Sequence, residues 1–346
     1  MVSKQEWVKQ QKYLKLNEID EFVIDFPNDI AIIDFHTHMS NVLPLKVNNP
    51  NNKGQKISYP TLPTMDNLDL NVPYWHKIDS NKKHKSLLSM IKFSYNGYKI
   101  FQEMIKCGTY DNCFKSQQDN KIKMNVVLPI SSQKNDRSLE ALKLTKQYPT
   151  KFIAFCSVHP YDNNLKEKIE KYQKLGAKGL KLKISDMELK YNYEPLIKLF
   201  KICYEKDLPV ILHTGSLTYL KQKNCSKLMW KLFKSSRVSI FGQLLKKMPQ
   251  DFKFIFGHSG IQEYKQVAQY LKMFPASYAE LSCQSADSIK YLINEVGDKR
   301  LLFGSDWPAL PQSFTLSRVL LATENDYKAR ENILMNNACK LLNIAK

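Results

Sequence analysis

Residues 30–38, IAIIDFHTH, form a short apolar run ending in polar side chains, the pattern of a buried strand. From residue 122 that pattern recurs with a regular rhythm. Apolar runs at 122–130, 151–160, 178–184, 208–215, 252–260, 276–283 and 300–308 alternate with amphipathic stretches. Those stretches cover 137–148, 164–176, 194–207, 238–249, 261–274 and 285–297, with a last one at 326–344. Strands alternating with helices predict parallel βα units. A doubly wound open sheet also alternates. The count of eight strands, and the polar residues at their C-terminal ends, favour an α/β fold of the closed (β/α)8 type, a TIM barrel. The length of 346 residues suits one such barrel with an insertion, since these barrels run to about 250 residues before decoration.

Residues 40–121 break the rhythm. They open with the Pro/Asn-rich stretch NVLPLKVNNPNNKGQ, pass through PTLPTMDNLDLNVP, and reach a helical stretch at about 82–106. The region is expected to be an insertion after strand 1 that covers the site as a loop and helical lid. The whole chain, 1–346, then reads as a single domain.

Composition narrows the function classes. With 43% hydrophobic residues the chain can bury a substantial core. No run approaches the ~18 apolar residues of a membrane span, so no membrane partner is expected. The N-terminus, MVSKQEWVKQQK, is polar and lacks the apolar core of a signal peptide. Seven cysteines without a CxxC pair suggest free thiols in a reducing cytosol, hence a cytoplasmic protein. The formal charge of +19 raises the question of nucleic acid, but only five of the 52 basic residues are arginine. Arginine is the usual reader of phosphates and bases. The lysines lie along amphipathic segments such as KLTKQYPTK and KEKIEKYQK, as on solvated helix faces. A nucleic-acid partner is therefore not expected, while the charge favours a small anionic substrate through steering.

The chemistry concentrates at strand ends. Of seven histidines, His36, His38, His159, His213 and His258 close predicted strands, and in a barrel those ends converge on the catalytic face. His36 and His38 are two apart on one strand, so both imidazoles face the same way and make half of a site for Zn²⁺ or a similar ion. Alone, such a pair is as readily a hydrogen-bonded core feature. His213 ends VILH, His258 ends FIFGH, and Asp306 ends LLFGSD. A polar side chain after a buried apolar run needs a partner. A lone buried histidine is usually structural and Asp306 alone reads as a helix cap, but five such groups at one end of four strands point to a metal site.

Taken together, DFHTH, KGLKL, HTG, GHSG and FGSDWP resemble the amidohydrolase superfamily. They are most similar to the branch that includes aminocarboxymuconate-semialdehyde decarboxylase. The resemblance runs over about 30–344 apart from the insertion. It implies that His36, His38, His213 and Asp306 hold one catalytic divalent ion, most simply Zn²⁺. It also implies that His258 holds or deprotonates a water, with Asp306 sharing the catalytic work. Binuclear members carry a carboxylated lysine on the fourth strand, where this chain has Lys181 and Lys183 on one face. Many relatives have His-Pro where this chain has Lys183-Ile184. One metal, with a lysine contacting an anionic substrate group, is the expectation; the plainer alternative pairs a lysine with a barrel carboxylate such as Glu280.

Other candidates for the substrate pocket are Arg137, His159 and Trp75. Their plainer readings are a surface residue, a strand end and a hydrophobic anchor. Tyr74 and His76 are candidate lid residues, Cys283 a packing residue bordering the pocket, and His84 a solvent-facing helix residue. The expected function is a metal-dependent hydrolase using an activated water on an amide, ester or lactone. The first alternative is a metal-dependent non-oxidative decarboxylase of a small unsaturated or aromatic acid. The second is a non-catalytic binding protein, against which the complete set of five site residues argues. A homodimer is compatible with the resemblance.

Overall fold

The protein is described by a computed structural model that covers all residues except 1, 28, 44–58, 60, 61, 63, 76–85, 133, 134, 185–192, 216–235 and 346. The candidates His76 and His84, and much of the Pro/Asn-rich opening of the insertion, lie outside the described residues.

Ten strands are present among the described residues. A short antiparallel pair, β1 (Leu14–Leu16) and β2 (Phe22–Ile24), precedes the barrel. The eight that follow are β3 (Ile32–Thr37), β4 (Ile122–Val127), β5 (Phe152–Ala154), β6 (Leu180–Leu182), β7 (Val210–His213), β8 (Phe254–Gly257), β9 (Tyr278–Glu280) and β10 (Leu301–Leu302). They pair in parallel as β3–β4–β5 and as β6–β7–β8–β9–β10. Two seams join these ladders. At the first, Cys156 N donates to Gly179 O at 2.8 Å and Lys181 N to Cys156 O at 2.7 Å. At the second, Phe35 N donates to Phe303 O at 2.8 Å, Asp306 N to His36 O at 2.8 Å, and His38 N to Trp307 O at 2.7 Å. Parallel bridges Cys156–Leu180 and Thr37–Trp307 accompany them. The chain is a (β/α)8 barrel with its strands in sequence order, as the pattern of buried runs predicts.

The strands read as near-continuous apolar runs because both faces are covered. All six residues of β3 are buried, and so are all four of β8. Phe35, Phe155, Phe200, Phe254 and Phe256 are among the largest fully buried side chains of the core.

Three elements depart from the pattern-based expectation. Among its described residues the insertion carries two α-helices, Leu87–Cys107 and Tyr110–Asp119, where one was expected. Between them Thr109 caps the second, its side chain accepting from Asn112 N at 3.3 Å. A helix at Gln312–Ala322 has no amphipathic signal because Gln312 through Leu320 are buried on every side. The N-terminal helix Lys4–Lys9 has a Ser3/Glu6 capping box. With β1 and β2 it forms a second apolar cluster in which Trp7, Phe22, Trp75 and Phe314 meet.

Candidate metal centre and active site

β3 delivers His36 and His38 to the C-terminal mouth of the barrel, and each ring is gripped from behind. His36 Nδ1 lies 2.6 Å from Glu280 Oε2, and His38 Nδ1 lies 2.7 Å from the Leu128 carbonyl. A carbonyl only accepts, and so does an ionised carboxylate, so both Nδ1 atoms carry hydrogen and donate. In the neutral rings both Nε2 atoms then carry lone pairs and face Asp306. Asp306 Oδ1 is 3.6 Å from His36 Nε2 and 3.3 Å from His38 Nε2.

The segment after β10 presents Asp306 by a strained turn, with Asp306 at φ 64°. Buried Asp34 braces that turn: its Oδ1 accepts from His36 N at 3.1 Å and Ser305 N at 2.9 Å. Its Oδ2 accepts from Ser305 Oγ and Gln312 Nε2, both at 2.6 Å. Burial pushes the Asp34 carboxyl up to about 7, against those hydrogen bonds.

β7 and β8 bring the second pair. Their ends interlock: Thr214 Oγ1 donates to Gly257 O at 2.6 Å, and Gly260 N donates to Thr214 Oγ1 at 3.0 Å. Gly215 sits at φ 82°, and a Cβ there would lie 2.3 Å from Gly260 O, so only glycine fits. His258 itself has φ 57°, followed by Ser259 at 44°. Such outliers cluster where surrounding structure holds a functional geometry. His258 Nε2 is 2.9 Å from His213 Nδ1, and His258 Nδ1 is 2.6 Å from Ser282 Oγ. The His258 ring stacks on His36, with centroids 4.6 Å apart.

Burial lowers the basicity of these rings. His36 and His213 are driven well below the ordinary histidine value, mainly by desolvation. His258 falls to about 3 for the same reason, helped by His36. Neutral imidazole is the form that binds metal and accepts protons.

Donor atoms of His36, His38 and Asp306 lie within 4.8 Å of one another, and the same holds for His36, His258 and Glu280 and for His258, Cys283 and Asp306. His213 is not in these groups; it joins the cluster through His258. The donor set fits a divalent ion: two imidazole nitrogens with fixed tautomers and one ionised carboxylate face one another, an arrangement that positive charge between them relieves. His36, His38 and Asp306 would hold the ion, with His213 beside them.

The remaining candidates are spread unevenly. Lys181 is buried, and its Nζ lies 3.0 Å from His36 Nε2. Lys183 is half-buried and lies close enough to depress the basicity of His213. Arg137 starts the helix Ser138–Gln147, its backbone N–H held by Ser131 Oγ at 3.0 Å. His159 is buried, its Nδ1 accepting from Tyr161 N at 3.2 Å. Trp75 is fully buried in the second apolar cluster against Phe314. Its neighbour Tyr74 donates its backbone N–H to Cys283 O at 2.7 Å. Cys283 Sγ in turn lies 3.9 Å from His258 Nδ1.

Sequence reasoning named Glu280 only as a lysine partner, and it passed over Ser282, Asp34 and Gly304. Glu280 is the buried acid in the middle of an apolar strand, ASYAELSC, which is the signal that marks it. Gly304 has no sequence signal of that kind. A Cβ there would lie 2.2 Å from Glu280 Oε1 and 2.9 Å from His36 Cβ.

Comparison with known proteins agrees with the barrel fold. The fold matches an uncharacterised TIM-barrel protein from Bordetella bronchiseptica at TM-score 0.59 and 15% identity, covering 91% of this chain and 99% of that one. It matches a 5-carboxyvanillate decarboxylase from Novosphingobium aromaticivorans, complexed with manganese and a nitrobenzoic acid, at TM-score 0.57 and 15% identity. That match covers 74% of this chain and 91% of the other. A probable 2-pyrone-4,6-dicarboxylic acid hydrolase from Acinetobacter baumannii matches at TM-score 0.56 and 12% identity, over 91% of this chain and all of that one. No curated protein matches the sequence. A family model described as Amidohydrolase matches residues 125–344, from β4 through Asp306 to the terminal helix, and the chain belongs to that amidohydrolase family.

Proposed function

We propose that this amidohydrolase-family enzyme is a hydrolase that acts on an amide, ester or lactone of a small anionic substrate with one divalent metal ion. The observation that carries the reading is the convergence of His36 Nε2, His38 Nε2 and Asp306 Oδ1 on one another, each imidazole locked from behind. A divalent ion at that point would polarise a carbonyl and lower the pKa of a water toward ~7. His258 supplies the proton acceptor. Its Nδ1 is committed to Ser282 Oγ, and its Nε2 faces His213 at the mouth of the barrel. Burial keeps the ring neutral at pH 7, the form that can accept a proton. Lys181 and Lys183 supply positive charge on β6 and its C-terminal extension for a substrate carboxylate. Arg137 and His159 are proposed as outer contacts of the same pocket. A single domain with 40–121 as a lid is part of this proposal; of its described residues, the buried Trp75 would be the anchor.

Decarboxylation is the second reading. The two lysines beside the donor cluster favour it, since they would seat a carboxylate next to the ion. Structural neighbours named as 5-carboxyvanillate and 2,6-dihydroxybenzoate decarboxylases support it as well. The neighbour with manganese makes Mn²⁺ a rival to Zn²⁺ as the working ion.

The test is reconstitution of metal-free protein with Zn²⁺ or Mn²⁺, followed by a panel of lactones, amides and aromatic acids with CO2 release monitored. Ring opening or amide cleavage without CO2 is expected. CO2 release alone moves the enzyme to the lyases, and failure to bind either ion overturns both readings.

A further inference from the structure

The site works only if His36 Nε2 bears a lone pair, and one buried carboxylate stands behind that nitrogen. Glu280 sits on β9 with no exposed surface. Its Oε2 is 2.6 Å from His36 Nδ1, accepts from the backbone N–H of His258 at 2.9 Å and from Ser282 Oγ at 3.0 Å. Its Oε1 accepts from Ser282 N at 2.5 Å. Two of those donors are backbone amides, which cannot give up or move their hydrogen. They hold the carboxyl in its accepting form, and the only complementary state of His36 Nδ1 is N–H. Ser282 Oγ, having given its hydrogen to Glu280, can only accept from His258 Nδ1. One carboxylate thus reaches both a metal-holding ring and the proton-accepting ring. Gly304 leaves the room it needs, since any side chain there would strike Oε1.

We infer that Glu280 is the positioning residue that sets the tautomer of His36, and through Ser282 that of His258, so that both rings present an Nε2 lone pair, that of His36 3.0 Å from Lys181 Nζ and that of His258 2.9 Å from His213 Nδ1. Its functional meaning rests on the metal-centre reading above. The tautomer itself is measurable without metal or substrate.

The test uses full-length protein labelled with ¹⁵N-histidine. In the metal-free wild type, long-range ¹H–¹⁵N correlation should show His36 as the Nδ1–H form; an Nε2–H form overturns the inference with no variant made. Glu280→Ala should move His36 toward Nε2–H and weaken Zn²⁺ and Mn²⁺ binding about 10–100-fold, the usual effect of losing a group that orients a ligand. Glu280→Gln keeps one accepting oxygen and should restore the Nδ1–H form and at least tenfold of that affinity. Ser282→Ala leaves the His36 contact intact, so metal affinity should stay within about threefold. Equal losses in Ser282→Ala and Glu280→Ala, or an unchanged His36 tautomer in Glu280→Ala, reduce Glu280 to ordinary packing and overturn the inference. A wild type that binds neither ion sinks the metal-centre reading and leaves the tautomer result standing.

Discussion

Where β10 meets β3, each imidazole is held from behind by an acceptor, Glu280 for His36 and the Leu128 carbonyl for His38. Asp306 closes that group from the front. On β7 and β8 the arrangement is different: His258 is also held from behind, by Ser282 Oγ at 2.6 Å, but its Nε2 meets His213 Nδ1 at 2.9 Å instead of a carboxylate. Rings held from outside keep their inner nitrogens for a cation. Rings that share a hydrogen bond are arranged to pass a proton. On the proposed function the contrast divides the site into a half expected to hold the ion and a half expected to handle the proton, by hydrogen-bond partners rather than by residue type, since both halves are built from histidine.

The largest expected effect comes from His36→Ala, which should lose bound metal altogether, an affinity loss of more than about 100-fold, and turnover with it. Elemental analysis against protein concentration measures it, and a full complement of metal would erase the distinction between the halves. His258→Asn should keep metal affinity within a few-fold while turnover falls by ~10²–10⁴. Parallel loss of metal in that variant would place His258 in the ion-holding half.

Gly304→Ala sharpens the comparison from the supporting side. The new Cβ must displace Glu280 or His36, so a stability loss of about 1–3 kcal/mol is expected, read from thermal unfolding. His258→Asn should bind metal more tightly than Gly304→Ala if the support of His36 is local.

The smallest effect is one of pH on the metal-free protein. His258 has a folded pKa near 3 against about 6.5 unfolded. Below pH 6.5 the unfolded chain takes up a proton that the buried ring refuses. Its contribution to stability is therefore intact above pH 6.5 and lost progressively as pH falls toward 3. Moving from pH 7 to pH 5 should cost wild type on the order of 2 kcal/mol more than His258→Asn. Parallel stability profiles for the two proteins would show that the ring is not shielded as the structure indicates.

Much of this was legible in the order of residues. The eight apolar runs announced the barrel because strands covered on both faces need unbroken apolar sequence. His36, His38, His213, His258 and Asp306 were legible because each follows such a run, where a polar side chain is costly unless it has a task. The helix Gln312–Ala322 was not, because burial on all sides erases its periodicity. Glu280 was visible as a buried acid, but its contact with His36 was not: it arises because β9 and β3 lie on the same side of the ring, across β10.

Sequence alone therefore determined the eight barrel strands and which five groups reach the mouth of the barrel, since local patterning and strand direction suffice for both. Tertiary structure decided what those groups do toward one another. The tautomers of His36 and His38, the His213–His258 pair and the clearance at Gly304 depend on distances between strands far apart in the chain. No local pattern encodes those distances; closure of the barrel sets them.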